Sequence, residues 1–112
     1  TTIVTVIPTS AVEEFENAIP TAFALRQNYP NPFNPSTMIS FQLPVRSEIT
    51  LAIYNANGQL VKKLFAGAMN AGNHSVVWKA RDESGRQVAS GVYIYVLQAG
   101  EFVARRKLVL LQ

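Results

Sequence analysis

The chain has no cysteine, one histidine and one aspartate among 112 residues. The first absence removes disulfide scaffolds, thiol nucleophiles and zinc–thiolate centres. The scarcity of His and Asp leaves His74 and Asp82 as the sole partners for a Ser-His-Asp relay. His74 opens a strand pattern and Asp82 lies in a turn beyond that strand's other end. At about 3.3 Å per residue their separation is roughly 25 Å, far too long for such a relay. Carboxylates are equally thin: no pair faces another across a predicted cleft, as glycoside hydrolysis needs. The turn Asp82-Glu83-Ser84-Gly85 lacks the further acidic ligands of a calcium loop. These absences point to a protein that is no enzyme and takes no cofactor, metal or small-molecule substrate.

Charge is also scarce, at 15% of residues, and unevenly placed. Residues 1–20 carry Glu13, Glu14 and Glu16 and no basic residue, whereas residues 21–112 hold all ten Lys and Arg against four acidic residues, a net of +6. A basic domain behind an acidic leader raises nucleic acid as a ligand. The basic residues are scattered, however, and strand alternation splits the densest cluster, Arg105-Arg106-Lys107, between two faces. A solvated strand explains it and no nucleic acid is expected. No apolar run reaches 18 residues, so no membrane insertion by a helix is expected.

What the chain does have is an all-β pattern: short alternating runs separated by turn chemistry every eight to twelve residues. Ile39, Phe41 and Leu43 share one face of a first run. Ile49, Leu51 and Ile53 share one face of a second, followed by the turn pair Asn57-Gly58. Residues 60–65 form a third, where Lys62-Lys63 suits a protected edge. Residues 74–80 form a fourth, with Val76 and Trp78 facing in. Residues 92–98 and 102–111 close the set through Ala99-Gly100. The prediction is an antiparallel β-sandwich of about seven strands over residues 21–112. Ahead of it, residues 1–20 read as an N-terminal extended strand and acidic linker.

Residues 28–37, NYPNPFNPST, hold three of the six prolines. Pro30, Pro32 and Pro35 remove three N–H donors and hold their predecessors extended, which predicts a stiff, extended strap. Tyr29 and Phe33 are expected to plug the open end of the sandwich against Trp78 and Tyr93, making the strap a lid on the core.

Residues 23–37, FALRQNYPNPFNPST, resemble the opening of the C-terminal sorting domains of the type IX secretion class. They are equally similar to the related flagellar hook-capping immunoglobulin-like domains. Ile53-Tyr54-Asn55 with Gly58-Gln59 fits the same pattern. So do Trp78, Arg81-Asp82, Ser84-Gly85 and residues 89–93, and the ending Arg106-Lys107 with Val109-Leu110-Leu111. The resemblance covers residues 22–112. It implies an immunoglobulin-like β-sandwich in an extracellular or bacterial cell-surface setting. At the carboxyl end of large exported proteins, such a domain is read by outer-membrane secretion machinery.

Two features ask for a neighbour. The runs 92–97 and 108–111 are apolar on both alternate faces, and a two-layer sandwich buries only one. Val92, Ile94, Val96, Val109 and Leu111 are the candidate acceptor faces. Residues 1–7, TTIVTVI, are β-branched at every position and lack a partner strand in the pattern. Ile3, Val4, Val6 and Ile7 are therefore the candidate self-assembly strand. The expected function is a structural module that forms a homopolymer by adding this strand to a neighbouring sandwich, giving a surface filament or fibre. The alternative is a sorting or cell-surface anchoring domain of a larger type IX secreted protein.

Overall fold

The computed structural model describes residues 20–111, which contain strands and turns and no helix. The predicted N-terminal strand and nearly all of the acidic linker lie outside these residues. Seven strands follow in order: β1 (Ala24–Leu25), β2 (Thr37–Leu43), β3 (Ser47–Asn55), β4 (Leu60–Met69), β5 (Gly72–Trp78), β6 (Gly91–Ala99) and β7 (Phe102–Leu110). They form two antiparallel sheets, one ordered β1-β2-β5 and the other β4-β3-β6-β7. Chain neighbours β2 and β3 lie in different sheets, so the chain crosses between layers at residues 44–46 and again after β4 and β5.

Alternation decides which residues meet between the layers. Ile39, Phe41 and Leu43 of β2 face Ile49, Leu51 and Ile53 of β3, and all six are buried. Tyr93, Tyr95 and Leu97 of β6 join them, with Leu108 and Leu110 of β7 and Trp78 of β5. Enclosing each large side chain contributes about 1.5–3 kcal/mol before chain entropy is counted. The β3–β4 hairpin closes where expected: Gly58 takes φ 83° and its N–H donates to the Asn55 carbonyl at 2.9 Å. The Asn55 side-chain oxygen accepts from the N–H groups of Asn57 and Gln59, fixing the loop from within.

Several boundaries differ from the sequence reading. The third strand runs on to Met69, through Ala66-Gly67-Ala68, whose weak β propensity hides it. Pairing with residues 47–51 of β3 supplies what propensity does not. The fourth run is shifted: β5 spans Gly72–Trp78 and stops before Ala80, whose φ of 59° leaves the extended region. The two-residue β1 was not predicted as a strand; it pairs Ala24 with Gln42 and Leu25 with Phe41.

Candidate interaction surface

The proline strap is half of what its composition predicts. Phe33 is 2% exposed, and its ring lies 5.6 Å from that of Trp78, which meets Tyr93 edge-on at 5.5 Å. Both polar tips in this cluster are satisfied, Trp78 by the Arg81 carbonyl and the Tyr93 hydroxyl by that of Ala89. Tyr29, expected to be buried beside Phe33, is instead 77% exposed. The cause is pairing: Tyr29 and Met38 exchange backbone hydrogen bonds of 3.0 and 2.9 Å as an antiparallel bridge. Cross-strand partners share a face, and Met38 sits between the buried Thr37 and Ile39, so both rows point outward.

The same bridge corrects the extended shape. Its two ends lie side by side, so the chain between them must return, and it bends at residues 30–32 and 34–35. The neck of this arch is a buried polar pair. Asn28 Nδ2 donates to Thr37 Oγ1 at 2.9 Å and to the Pro30 carbonyl at 3.1 Å, and the Thr37 hydroxyl donates to that carbonyl at 2.9 Å. Proline 30 has no N–H of its own to offer, and its carbonyl takes both bonds.

Beyond closing the sandwich, the strap covers an edge of the four-stranded sheet. Phe33 pairs in parallel with β7: its N–H donates to the Val109 carbonyl, and its carbonyl accepts from Leu111, both at 3.0 Å. The Val109 N–H donates to Asn31 Oδ1 at 2.9 Å, and Gln27 Nε2 donates to the Lys107 carbonyl at 2.9 Å. Arg106 Nε donates to the Leu25 carbonyl, and the Tyr95 hydroxyl to that of Arg26, each at 2.6 Å. Burial pushes the Tyr95 phenol above its ordinary pKa, against smaller opposing effects of a backbone hydrogen bond and the Arg106 charge.

At the sheet's other edge a turn does similar work with less. Glu83 donates its N–H to the Val61 carbonyl at 3.0 Å, and its carboxylate accepts from the Lys63 N–H at 2.7 Å. Lys62 Nζ lies 3.9 Å from the same carboxylate. The turn is held by Asp82, whose side chain accepts from Ser84 and from the Arg86 N–H. The Ser84 hydroxyl first, and those backbone bonds after it, hold the Asp82 carboxyl below its usual range.

These contacts assign Asp82 to turn construction. His74 stands on β5, its Nε2 2.8 Å from the Asn70 carbonyl and its ring tilted against Phe41. Among the described residues no group of three or more His, Cys, Asp or Glu is placed to hold a metal ion.

The predicted acceptor residues fall on the outer face of the four-stranded sheet, opposite the buried Tyr93, Tyr95 and Leu97. Val92 and Leu111 are 42% and 54% exposed, while Ile94, Val96 and Val109 are half-buried. Val92 pairs with Val109, and Ile94 and Val96 pair with Tyr54 and Ala52 of β3. Arg105 and Lys107 flank the row, opposite Val96 and Ile94, where their stems can cover apolar surface. A depression of about 330 Å³ opens there, lined by Tyr54, Ile94, Val96 and Arg105 among others. The edge beside Val109 and Leu111 is already occupied by the strap. A second apolar row, Tyr29, Met38 and Val77, lies exposed on the outer face of the other sheet. Sequence reasoning missed it, because it exists only through the Tyr29–Met38 bridge.

Residues 31–101, more than half of the chain, match the family profile of the FlgD Ig-like domain. The chain belongs to the FlgD Ig-like domain family. This is a family of structural immunoglobulin-like domains, and the match runs from the strap to the β6–β7 turn. Among solved structures, the chain is similar to FlgD from Xanthomonas campestris, a protein of the hook capping essential for flagellar assembly. Identity there is 25% and the TM-score 0.53, over 81% of this chain and 63% of that one. It shares its fold with dimeric latent PorU from Porphyromonas gingivalis, at 16% identity and TM-score 0.63, over 78% of this chain and 9% of PorU. PorZ, an essential surface component of the type IX secretion system of the same organism, matches at 21% identity and TM-score 0.54, over 77% of this chain and 11% of PorZ. The FlgD-like domain thus spans about a tenth of PorU and of PorZ and under two thirds of this FlgD. No curated protein matches the sequence.

Proposed function

We propose that this FlgD-like domain is a non-catalytic structural module of the bacterial cell surface or extracellular space. It associates with further copies of itself by adding residues 1–7 to a neighbouring sandwich. The observation that carries this reading is the apolar row Val92, Ile94, Val96, Val109 and Leu111, left partly open on the outer face of the four-stranded sheet, which a neighbouring copy can cover once the donated strand has joined an edge of that sheet. The same chain carries residues 1–7, β-branched at every position and so strong in strand propensity. Strand addition uses main-chain hydrogen bonds for affinity and side-chain pockets for choice of partner. Donation from one copy to the next does not close on itself, so it builds a fibre. Sedimentation velocity over a concentration series tests it. The intact chain forms species larger than a monomer, and V4K/V6K abolishes them; a chain monomeric throughout refutes the proposal.

A second reading has its own support. The fold recurs as a small part of PorU and PorZ, which suits a sorting or cell-surface anchoring module recognised by outer-membrane secretion machinery. Fusing the domain behind a carrier protein in a type IX-competent bacterium separates the two. Export of the carrier supports sorting, and retention inside the cell counts against it.

A further inference from the structure

Strand addition requires an edge whose outward backbone groups are unpaired. The four-stranded sheet has two edges, and part of each is taken. On β7 the strap and Gln27 cover residues 107–111. On β4 Glu83 covers Val61 and Lys63. Register shifts opposite Leu51/Ala52 and Ile53/Tyr54 further distort that half of β4. The first half of β7 carries Arg105 and Arg106 and is flanked by β1, with Phe23 stacked on Phe102 and Arg106 bonded to the Leu25 carbonyl. The uncharged stretch left over is the second half of β4, residues 64–69, LFAGAM. Residues 65–69 pair with β3 on one side, and no described residue hydrogen-bonds to the other side of this stretch. No residue in it is charged. Ala66 and Ala68 are exposed and small, so a backbone can approach without displacing side chains. Leu64, Phe65 and Met69 pack against the core and hold the strand in place. The other sheet offers less: β1 has two residues, and β5 begins Gly-Asn-His-Ser.

We infer that residues 64–69 are the acceptor edge for residues 1–7 of a second copy; this rests on the self-association proposed above. The lengths agree: seven extended residues cover roughly 23 Å and the six-residue edge roughly 20 Å. Neither segment has a charged side chain, so pairing buries no unpaired side-chain charge. The connection also reaches. Register places Gly67, Ile49, Ala99 and Phe102 in one row across the sheet, and the Phe23 ring stacks on Phe102 at 5.1 Å. The domain entrance is therefore about three strand spacings, roughly 14 Å, from the edge. The twelve residues 8–19 can span on the order of 40 Å, enough to leave their own domain for a neighbour's.

The cysteine-free background gives a direct test with the full chain. V4C and A68C chains are prepared separately, mixed in equal amounts and oxidised. Disulfide closure needs Cα atoms within about 7 Å. The expected result is a mixed V4C–A68C dimer several-fold above both like-with-like dimers; a statistical mixture overturns the inference. In a second measurement, A66K/A68K places charge on the edge at two exposed positions, with circular dichroism checking that the fold persists. Self-association should weaken at least tenfold. If A66K/A68K assembles as the unmodified chain does, the edge is wrong and self-association stands. If the unmodified chain is itself monomeric, the proposed function fails and the acceptor edge with it. A V4C/A68C chain that closes only within itself also overturns donation between copies.

Discussion

The two edges of the four-stranded sheet are each covered in part by a segment from elsewhere in the chain, but by unlike means. On β7 the strap brings a backbone bridge, two amide side chains and a buried aromatic ring. On β4 the 82–85 turn brings one N–H and one half-exposed carboxylate. The first cover is part of the core: it cannot lift without exposing Phe33 beside Trp78. The second rests on the surface, where water competes for each of its bonds. Edge protection that shares residues with the core is therefore costly to open, and protection by a surface side chain is cheap. If the contrast is right, substitutions in the strap report on global stability, and substitutions in the turn report only locally.

The largest effect is expected at Phe33. Phe33→Ala removes the ring that fills the end of the sandwich, and should cost about 3–5 kcal/mol, read from chemical denaturation. Amide exchange at Val109 and Leu111 should quicken with it. A loss below about 1 kcal/mol would break the comparison, because the strap would then be a surface loop. Tyr29→Ala, four residues away, serves as the control: its ring is largely in water, and the change should stay within about 0.5 kcal/mol.

Next comes the neck. Asn28→Ala leaves the buried Thr37 hydroxyl and Pro30 carbonyl short of a partner, which should cost about 1–3 kcal/mol. Asn28→Ala and Thr37→Val should not add, since each removes the bond they share. Additive losses in a double-mutant cycle would show that the pair does not act as the arch's closure.

How much of this the sequence disclosed depends on the range of the interaction. The sandwich was legible, because strict alternation at Ile39, Phe41, Leu43 and at Ile49, Leu51, Ile53 fixes the core faces locally. Phe33 was legible for a related reason, as a ring in a segment unable to form helix or central strand. Tyr29 was not: its direction depends on pairing with Met38, nine residues away, and no local pattern encodes that register. The second half of β4 was hidden by Ala and Gly, whose propensities say little when a partner strand decides. Glu83 read as a turn residue, which it is. Its role on the β4 edge required knowing that residues 61–63 lie beside it.

A smaller effect, with a pH signature, is expected at Tyr95. Its hydroxyl bonds the Arg26 carbonyl just before the strap, so Tyr95→Phe should cost about 1 kcal/mol. Burial raises the phenol's pKa in the folded state above the ordinary value. The stability this represents is fully present below the unfolded pKa of about 10 and is lost as pH rises through the folded value. The parent should lose stability on the alkaline side, and Tyr95→Phe should lose less of it. Equal alkaline slopes for the two proteins would place the sensitivity elsewhere, at Tyr93 for instance, whose phenol burial also raises.

Apart from the Tyr29 control, the smallest effect on stability should be at Glu83, and it probes the comparison most finely. Glu83→Ala deletes the acceptor of the Lys63 N–H and the 3.9 Å ion pair with Lys62, but leaves the residue's own N–H on the Val61 carbonyl. The side chains are 54% and 35% exposed, so solvent screens the ion pair to little net value. Water can also replace the lost acceptor at Lys63. The total should stay under about 1 kcal/mol, with the denaturation slope unchanged. Hydrogen exchange should still register the change: the Lys63 amide speeds up while those of Val109 and Leu111 keep their protection. A global acceleration reaching β7 would mean that the turn, like the strap, is built into the core, and the two edges would then be equivalent.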